Sequence, residues 1–125
     1  MYLRFTIAQK DPDSGQPQGV FVAAHALHDS GTLTSDECEQ IRDGLSWFNK
    51  HLPVPHYSKF GEECIFWLKA EATEVIRRMW QIVNIMRAHD VVVEVWRADR
   101  LWCISYRDEY QVAATRSKLD LIRMM

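Results

Sequence analysis

Several side chains in this sequence are of types that could do chemistry. His25 and His28 stand three residues apart, beside Asp29. Two imidazoles on one helical face with a neighbouring carboxylate are a partial metal site. The His-Glu-x-x-His spacing is absent and no third ligand is marked, so the simpler reading is a pair of histidines near a helix C-terminus, where the dipole favours positive charge. Cys103, partnered by a histidine and an acid, would make a nucleophile. Nothing local marks it as one, and the alternation around it reads as an inward-facing, inert strand cysteine. Asp108-Glu109 and Glu62-Glu63 are adjacent acids. Such pairs do acid–base work only where their surroundings drive their pKa values apart, and in a turn they are solvated. Gly-x-Ser-x-Gly, Gly-x-Gly-x-x-Gly and Gly-x-x-x-x-Gly-Lys-Ser/Thr patterns are absent, which removes the common routes to acyl transfer and nucleotide binding. No catalytic residue, metal-ligand set or cofactor is assigned, and the alternative of a small enzyme rests on His25, His28 and nearby carboxylates.

Recognition residues are better marked. Trp47, Asn49, Lys50, His51, Pro53, Pro55, His56 and Tyr57 crowd one short stretch. A rigid segment with aromatic and amide groups suits binding, and its competing reading is a helix end that plugs the core. Tyr106, Asp108, Glu109 and Tyr110 form a second such group in a turn. Together Trp47, Asn49, His51, Tyr57, Tyr106, Asp108, Glu109 and Tyr110 are the candidate binding residues. Arg97, Arg100 and Arg107, gathered near Trp96, Trp102 and Tyr106, would be a way to hold single-stranded nucleic acid. The chain is not basic overall, with net charge −2 and pI about 6.2, so nucleic acid is the weakest of the partner classes.

The elements that must position these residues are legible from period and punctuation. Ala72, Val75, Ile76, Met79, Ile82, Val83 and Met86 make a wide apolar stripe, with Trp80 and Ile85 on its flanks and Glu71, Glu74, Arg78, Gln81 and Arg87 opposite. This predicts a long two-faced helix over 69–90 that must bury its stripe on something else. Leu3, Phe5 and Ile7 alternate with Tyr2, Arg4 and Thr6, which predicts a half-buried strand. Val20 to Ser30 reads as a short helix closed by Gly31. Thr34 and Glu37 form a capping box that starts a second helix running to Pro53, so the two make a helical hairpin. Cys64 to Leu68 reads as a strand feeding the long helix. After Asp90 the period becomes two. Val91–Trp96, Leu101–Tyr106 and Tyr110–Ala114 are expected to form an antiparallel meander, with Arg97–Arg100 and Arg107–Glu109 as its turns.

The residues also carry a resemblance. Trp47-Phe48-Asn49-Lys50-His51-Leu52-Pro53, then Ile65–Lys69, then Tyr106-Arg107-Asp108-Glu109-Tyr110-Gln111-Val112, resemble a bacterial family of small proteins with W-F-N-x-H-L-P and Y-x-D-E-x-Q segments. The resemblance covers roughly residues 1–114. It implies one bacterial domain and brings no activity with it.

A chain of 125 residues is one domain by size and can build a core without metal or disulfides. Its three cysteines, Cys38, Cys64 and Cys103, are widely spaced and are expected to be buried. No apolar run is long enough to span a bilayer, and the first residues lack a signal-peptide pattern, so a cytoplasmic protein with no membrane contact is expected. The fold class is α+β: a small, mainly antiparallel sheet of the N-terminal strand and a C-terminal meander, packed on one long helix and a shorter helical hairpin. Residues 115–125 are a last helical turn, with Leu119, Ile122 and Met125 inward, or a separate docking tail. The second sheet face looks too apolar to stay wet, so the first helices or a second copy in a homodimer should cover it. The functional expectation is a non-enzymatic interaction or regulatory module for a protein or small ligand.

Overall fold

The structure is a computed structural model that describes residues 1–10, 17–52, 64–115 and 121–123. The described chain runs β1 (Tyr2–Lys10), β2 (Pro17–Gly19), α1 (Val20–Asp29), α2 (Ser35–His51), β3 (Cys64–Lys69), α3 (Thr73–Ala88), β4 (Val93–Ala98), β5 (Trp102–Arg107), β6 (Gln111–Thr115) and β7 (Leu121–Arg123). The class is α+β, as the sequence predicts. One seven-stranded sheet has the order β5-β6-β3-β1-β4-β7, with β2 added to β1, and every pairing is antiparallel.

Helix α3 buries Val75, Met79, Ile82, Val83 and Met86 of the predicted stripe, with Ala72 and Ile76 partly buried, and it spans 73–88 rather than 69–90 because Lys69 ends β3. It meets Leu3, Phe5 and Ile7 of β1, Leu68 of β3, and Val93 and Val95 of β4 in the main core. The register sets Phe5 opposite Val95 and Ile7 opposite Val93, so two strands present one apolar face. Trp80 meets Phe5 edge to face at 5.2 Å. Helices α1 and α2 add Val20, Ala24, Ile41, Leu45 and Phe48 to the same core. All three helices therefore cover one face. The Thr34 capping box is formed: the Thr34 hydroxyl accepts from Glu37 N–H and the Glu37 carboxylate accepts from Thr34 N–H.

The C-terminal strands depart from the expected meander. Strands β5 and β6 form a hairpin, but β4 lies beyond β6, β3 and β1. Arg97 and Ala98 belong to β4 rather than to a turn. Period-2 alternation identifies a strand but carries no information about its neighbour. A flat sheet would put β4 roughly 19 Å from β5 at about 4.8 Å per strand. The link from Ala98 to Trp102 can reach only about 14 Å at about 3.5 Å per residue. The sheet must curl, and bulges in β5 between Trp102 and Ile104 and between Ile104 and Tyr106 help it do so.

The curl also settles what covers the second face. Trp67, Ala98 and Val112 are buried there, with Tyr2, Ile65, Trp96, Leu101 and Ile104 packed around them. No residue of the first two helices belongs to this cluster, and its outer members are partly buried within the single chain. Thr6 is 1% exposed on this side, and its hydroxyl accepts from the Trp96 indole N–H at 3.0 Å. Residues 121–123 form a strand on β4, where a last helical turn or a separate docking tail was expected. Leu119 and Met125 lie outside the described residues. Cys103, expected inward, is exposed and has φ 47° within the irregular stretch of β5, and Cys38 is only half-buried.

Two helix ends use the left-handed backbone. Gly31 follows α1 with φ 79°, and Asp90 follows α3 with φ 65°. A Cβ in this region is strained, and glycine is not. Gly31→Ala should therefore cost about 1 kcal/mol in urea denaturation. Asp90→Gly should gain about 0.5 kcal/mol by the same measurement, the relief of strain exceeding the glycine's extra freedom in the unfolded chain.

Candidate functional site

Helices α2 and α3 run antiparallel. At one end the His89 imidazole Nε2–H donates to Glu37 Oε2 at 2.9 Å, joining the end of α3 to the start of α2. At the other end the Arg78 guanidinium lies 4.6 Å from the ring centre of Trp47. Gly44 lets the helices approach between these two contacts. A Cβ there would meet Ile82 Cδ1 at 3.0 Å. Between the helices runs an open groove of about 530 Å³, lined by Glu37, Gln40, Asp43, Gly44, Arg78, Gln81, Ile82, Asn84, Ile85 and Ala88. Its floor is apolar at Gly44, Ile82 and Ile85. Gln40, Asp43, Gln81 and Asn84 are exposed along its rim.

The end of the groove at Trp47 is held by stacking and charge. The His51 ring stacks on Trp47 at 4.4 Å, and its Nδ1–H donates to the Trp47 carbonyl at 2.9 Å, one turn back on the same helix. Phe48 meets Trp47 edge to face at 5.3 Å and carries the contact into the core. Glu74 accepts from Arg77 Nε and Nη2 at 3.0 and 2.7 Å and from Arg78 Nε at 2.8 Å. Hydrogen bonds from Arg77 and then Arg78 pull the Glu74 carboxyl down to about 2. At the opposite end the Thr34 N–H and then His89 lower Glu37 below the usual carboxylate range.

The second predicted group closes on itself. Asp108 Oδ1 accepts from Tyr110 N–H at 2.8 Å and Gln111 N–H at 2.9 Å, and Oδ2 accepts from Tyr106 O–H at 2.6 Å. Asp108 N–H donates to Gln111 carbonyl, completing the β5–β6 turn. Burial pushes the Asp108 carboxyl up, but these donors outweigh it and hold it below its ordinary value. The Tyr106 phenol is correspondingly raised by its bond to Asp108. Asp108 organises a turn, and its neighbour Glu109 is exposed. Tyr110 packs against the main core, and its carbonyl accepts from Lys69 N–H close to the start of α3. The turn and the Trp47 stack thus share one end of the molecule.

The other expected candidates disperse. Asn49 is exposed and, two residues past Trp47, sits about 200° around α2 from it. Tyr57 lies outside the described residues. His25 is exposed on α1, and His28 faces its neighbour Asp29 at 3.2 Å. No groups of three or more metal-binding side chains occur among the described residues. Arg97 lies near the end of β4 and Arg100 in the link to β5, whereas Arg107 is the last residue of β5, a strand length away from that link. Trp96 and Tyr106 likewise do not share one face. Trp96 lies in the inner cluster with Thr6, whereas Tyr106 contacts Phe66 at 6.3 Å on the side of Asp108.

No protein-family model, curated protein or solved structure matches the chain.

Sequence reasoning missed Gln40, Gln81 and Asn84 as a rim and read Arg78 only as one of the polar residues opposite the apolar stripe. The available signal was Gly44, a glycine inside a helical pattern, which marks a close approach of another element. Two outcomes test this geometry. Replacing Asp108 by Ala should cost about 1–3 kcal/mol in urea denaturation, because it strands the turn donors. Glu74→Gln should lower the wild-type melting temperature at neutral pH. The Glu74 pKa is depressed in the folded state, so its contribution is present above the ordinary carboxylate range and is lost as pH falls toward about 2. The gap in melting temperature between wild type and variant should therefore close over that acid range.

Proposed function

We propose that this chain is a non-enzymatic interaction module that receives a polypeptide partner along the α2–α3 groove. The observation that carries the reading is the groove's construction. An apolar floor at Gly44, Ile82 and Ile85 lies between exposed amides of Gln40, Gln81 and Asn84. Amide side chains both donate and accept hydrogen bonds, which suits the alternating groups of a peptide backbone. The groove opens to solvent rather than being enclosed, which suits a chain segment better than a buried small ligand. The Trp47 end belongs to the same surface, so the reading keeps Trp47 and His51 as part of the site and moves its centre toward Arg78. Membership of the bacterial family with W-F-N-x-H-L-P and Y-x-D-E-x-Q segments goes with this proposal and rests on those residues alone.

Asn84→Arg puts a long charged side chain across the groove from an exposed position, where the cost to stability should stay within about 0.5 kcal/mol. Asn49→Arg places the same side chain on the far side of α2. In quantitative affinity capture from cell extract, the partner retained by the wild type should fall at least tenfold with Asn84→Arg and be unchanged with Asn49→Arg. Equal retention by both variants would remove the groove from the reading.

A further inference from the structure

Arg78 is more organised than its place on the surface requires. Its guanidinium rests on the Trp47 ring at 4.6 Å, and its Nε–H is used by Glu74 at 2.8 Å. These contacts restrict both the plane and the direction of the group. Its side chain is 29% exposed, and the residue lines the groove. Among the described residues no acceptor is hydrogen-bonded to Nη1 or Nη2. The forked end of the guanidinium, with its four N–H groups, is left for something else. Two parallel N–H donors at fixed spacing match the two oxygens of a carboxylate.

We propose that Arg78 is the specificity-determining residue of the groove and receives one carboxylate of a polypeptide partner end-on. The inference rests on the groove reading above and adds the chemistry of the ligand. The charge around the groove limits the ligand to that one anionic group. Glu37 and Asp43 line the same groove from α2, and Asp43 has only a 4.0 Å contact with Arg42. A second acid lying along the groove would be repelled by them, whereas backbone N–H groups or a basic side chain would be attracted. The partner's carboxylate therefore sits at the Arg78 end, with donors running toward Asp43 and Glu37. Arg77 takes no direct part, since Glu74 engages its Nε and Nη2 edge. Trp47 acts as a positioning residue by holding the guanidinium plane.

Three pools of random pentapeptides distinguish the sources of the carboxylate. The first has free C-termini and no Asp or Glu. The second has amidated C-termini and one Asp or Glu per peptide. The third is amidated and lacks acids. Each is titrated into ¹⁵N-labelled protein while the Arg78 Nε–H and Trp47 Nε1–H signals are followed. One or both carboxylate pools should bind at least tenfold more tightly than the neutral pool, and the tighter of the two identifies the source. Arg78→Gln should abolish the difference. Arg78→Lys, which keeps the charge and loses the fork, should restore less than a third of it. Trp47→Leu should weaken the preference while backbone signals along Gln81 and Asn84 still respond. Equal binding of all three pools along the groove would overturn the carboxylate assignment and leave the groove reading intact. Absence of shifts with every pool at millimolar concentration would overturn both. Matching shifts from acetate alone at equal concentration would overturn the polypeptide ligand in favour of a simple anion site.

Discussion

The burial of one side of α3 against β1 and β4 is the constraint on which the rest of the molecule depends. Val75, Met79, Ile82, Val83 and Met86 are each at most 4% exposed, and Phe5, Ile7, Val93 and Val95 oppose them. An isolated helix of this length is marginal in water, so α3 gains its stability from this contact. The same contact aligns α3 with the sheet and leaves its other side to meet α2. The Arg87 Nη2–H donates to the Val93 carbonyl at 2.8 Å and the guanidinium lies 5.4 Å from the Trp80 ring centre, so the end of the helix is tied to the first residue of β4. The groove is a consequence of that placement, because only a helix fixed on the sheet can hold Arg78, Gln81 and Asn84 at constant distance from α2.

The sheet answers a second constraint. Helices cover one face, and the other carries Trp67, Trp96, Val112 and Ala98, which water would not tolerate flat and open. Curling the strands puts these side chains on the inside. Small residues assist: Ala98 and Ala114 are fully buried. The short Ala98–Trp102 connection enforces the curl, and the turn organised by Asp108 sets the β5–β6 hairpin at its far edge. Packing on the helical side and closure on the inner side are thus separate solutions to the same cost of exposed apolar surface.

Charge is concentrated at the helix ends. Glu37 lies at the start of α2 and His89 at the end of α3, each at the terminus whose dipole suits its sign when ionised. Glu74 lies in the first turn of α3 with Arg77 and Arg78 one turn on. These exposed pairs contribute little to stability singly. Their consequence is geometric: each fixes the direction of a long side chain beside the groove, and Glu74 leaves the forked end of Arg78 unused.

How much of this was legible depended on the distance over which each cause acts. The α3 stripe, the β1 alternation, the Thr34–Glu37 capping box and the Gly31 helix stop all arise from residues within a turn or two of one another, so period and punctuation reveal them. The site was legible only in part. Trp47 and His51 stood out by composition, and their stacking follows from i,i+4 spacing, but Asn49 in the same motif points elsewhere. Asp108 stood out as an acid, yet the donors that engage it come from turn geometry that composition cannot show.

By itself the sequence determined the fold class, the presence and buried side of each helix, and the longer strands, because local backbone preference and apolar period act along the chain; the short strands β2 and β7 carry no such period. Tertiary structure alone decided which strands are neighbours, that the sheet curls to bury its own second face, and that α2 and α3 flank a groove ending at Arg78. Those outcomes depend on residues far apart in sequence, such as Trp47 with Arg78 and Glu37 with His89, whose approach is set by how the whole core packs.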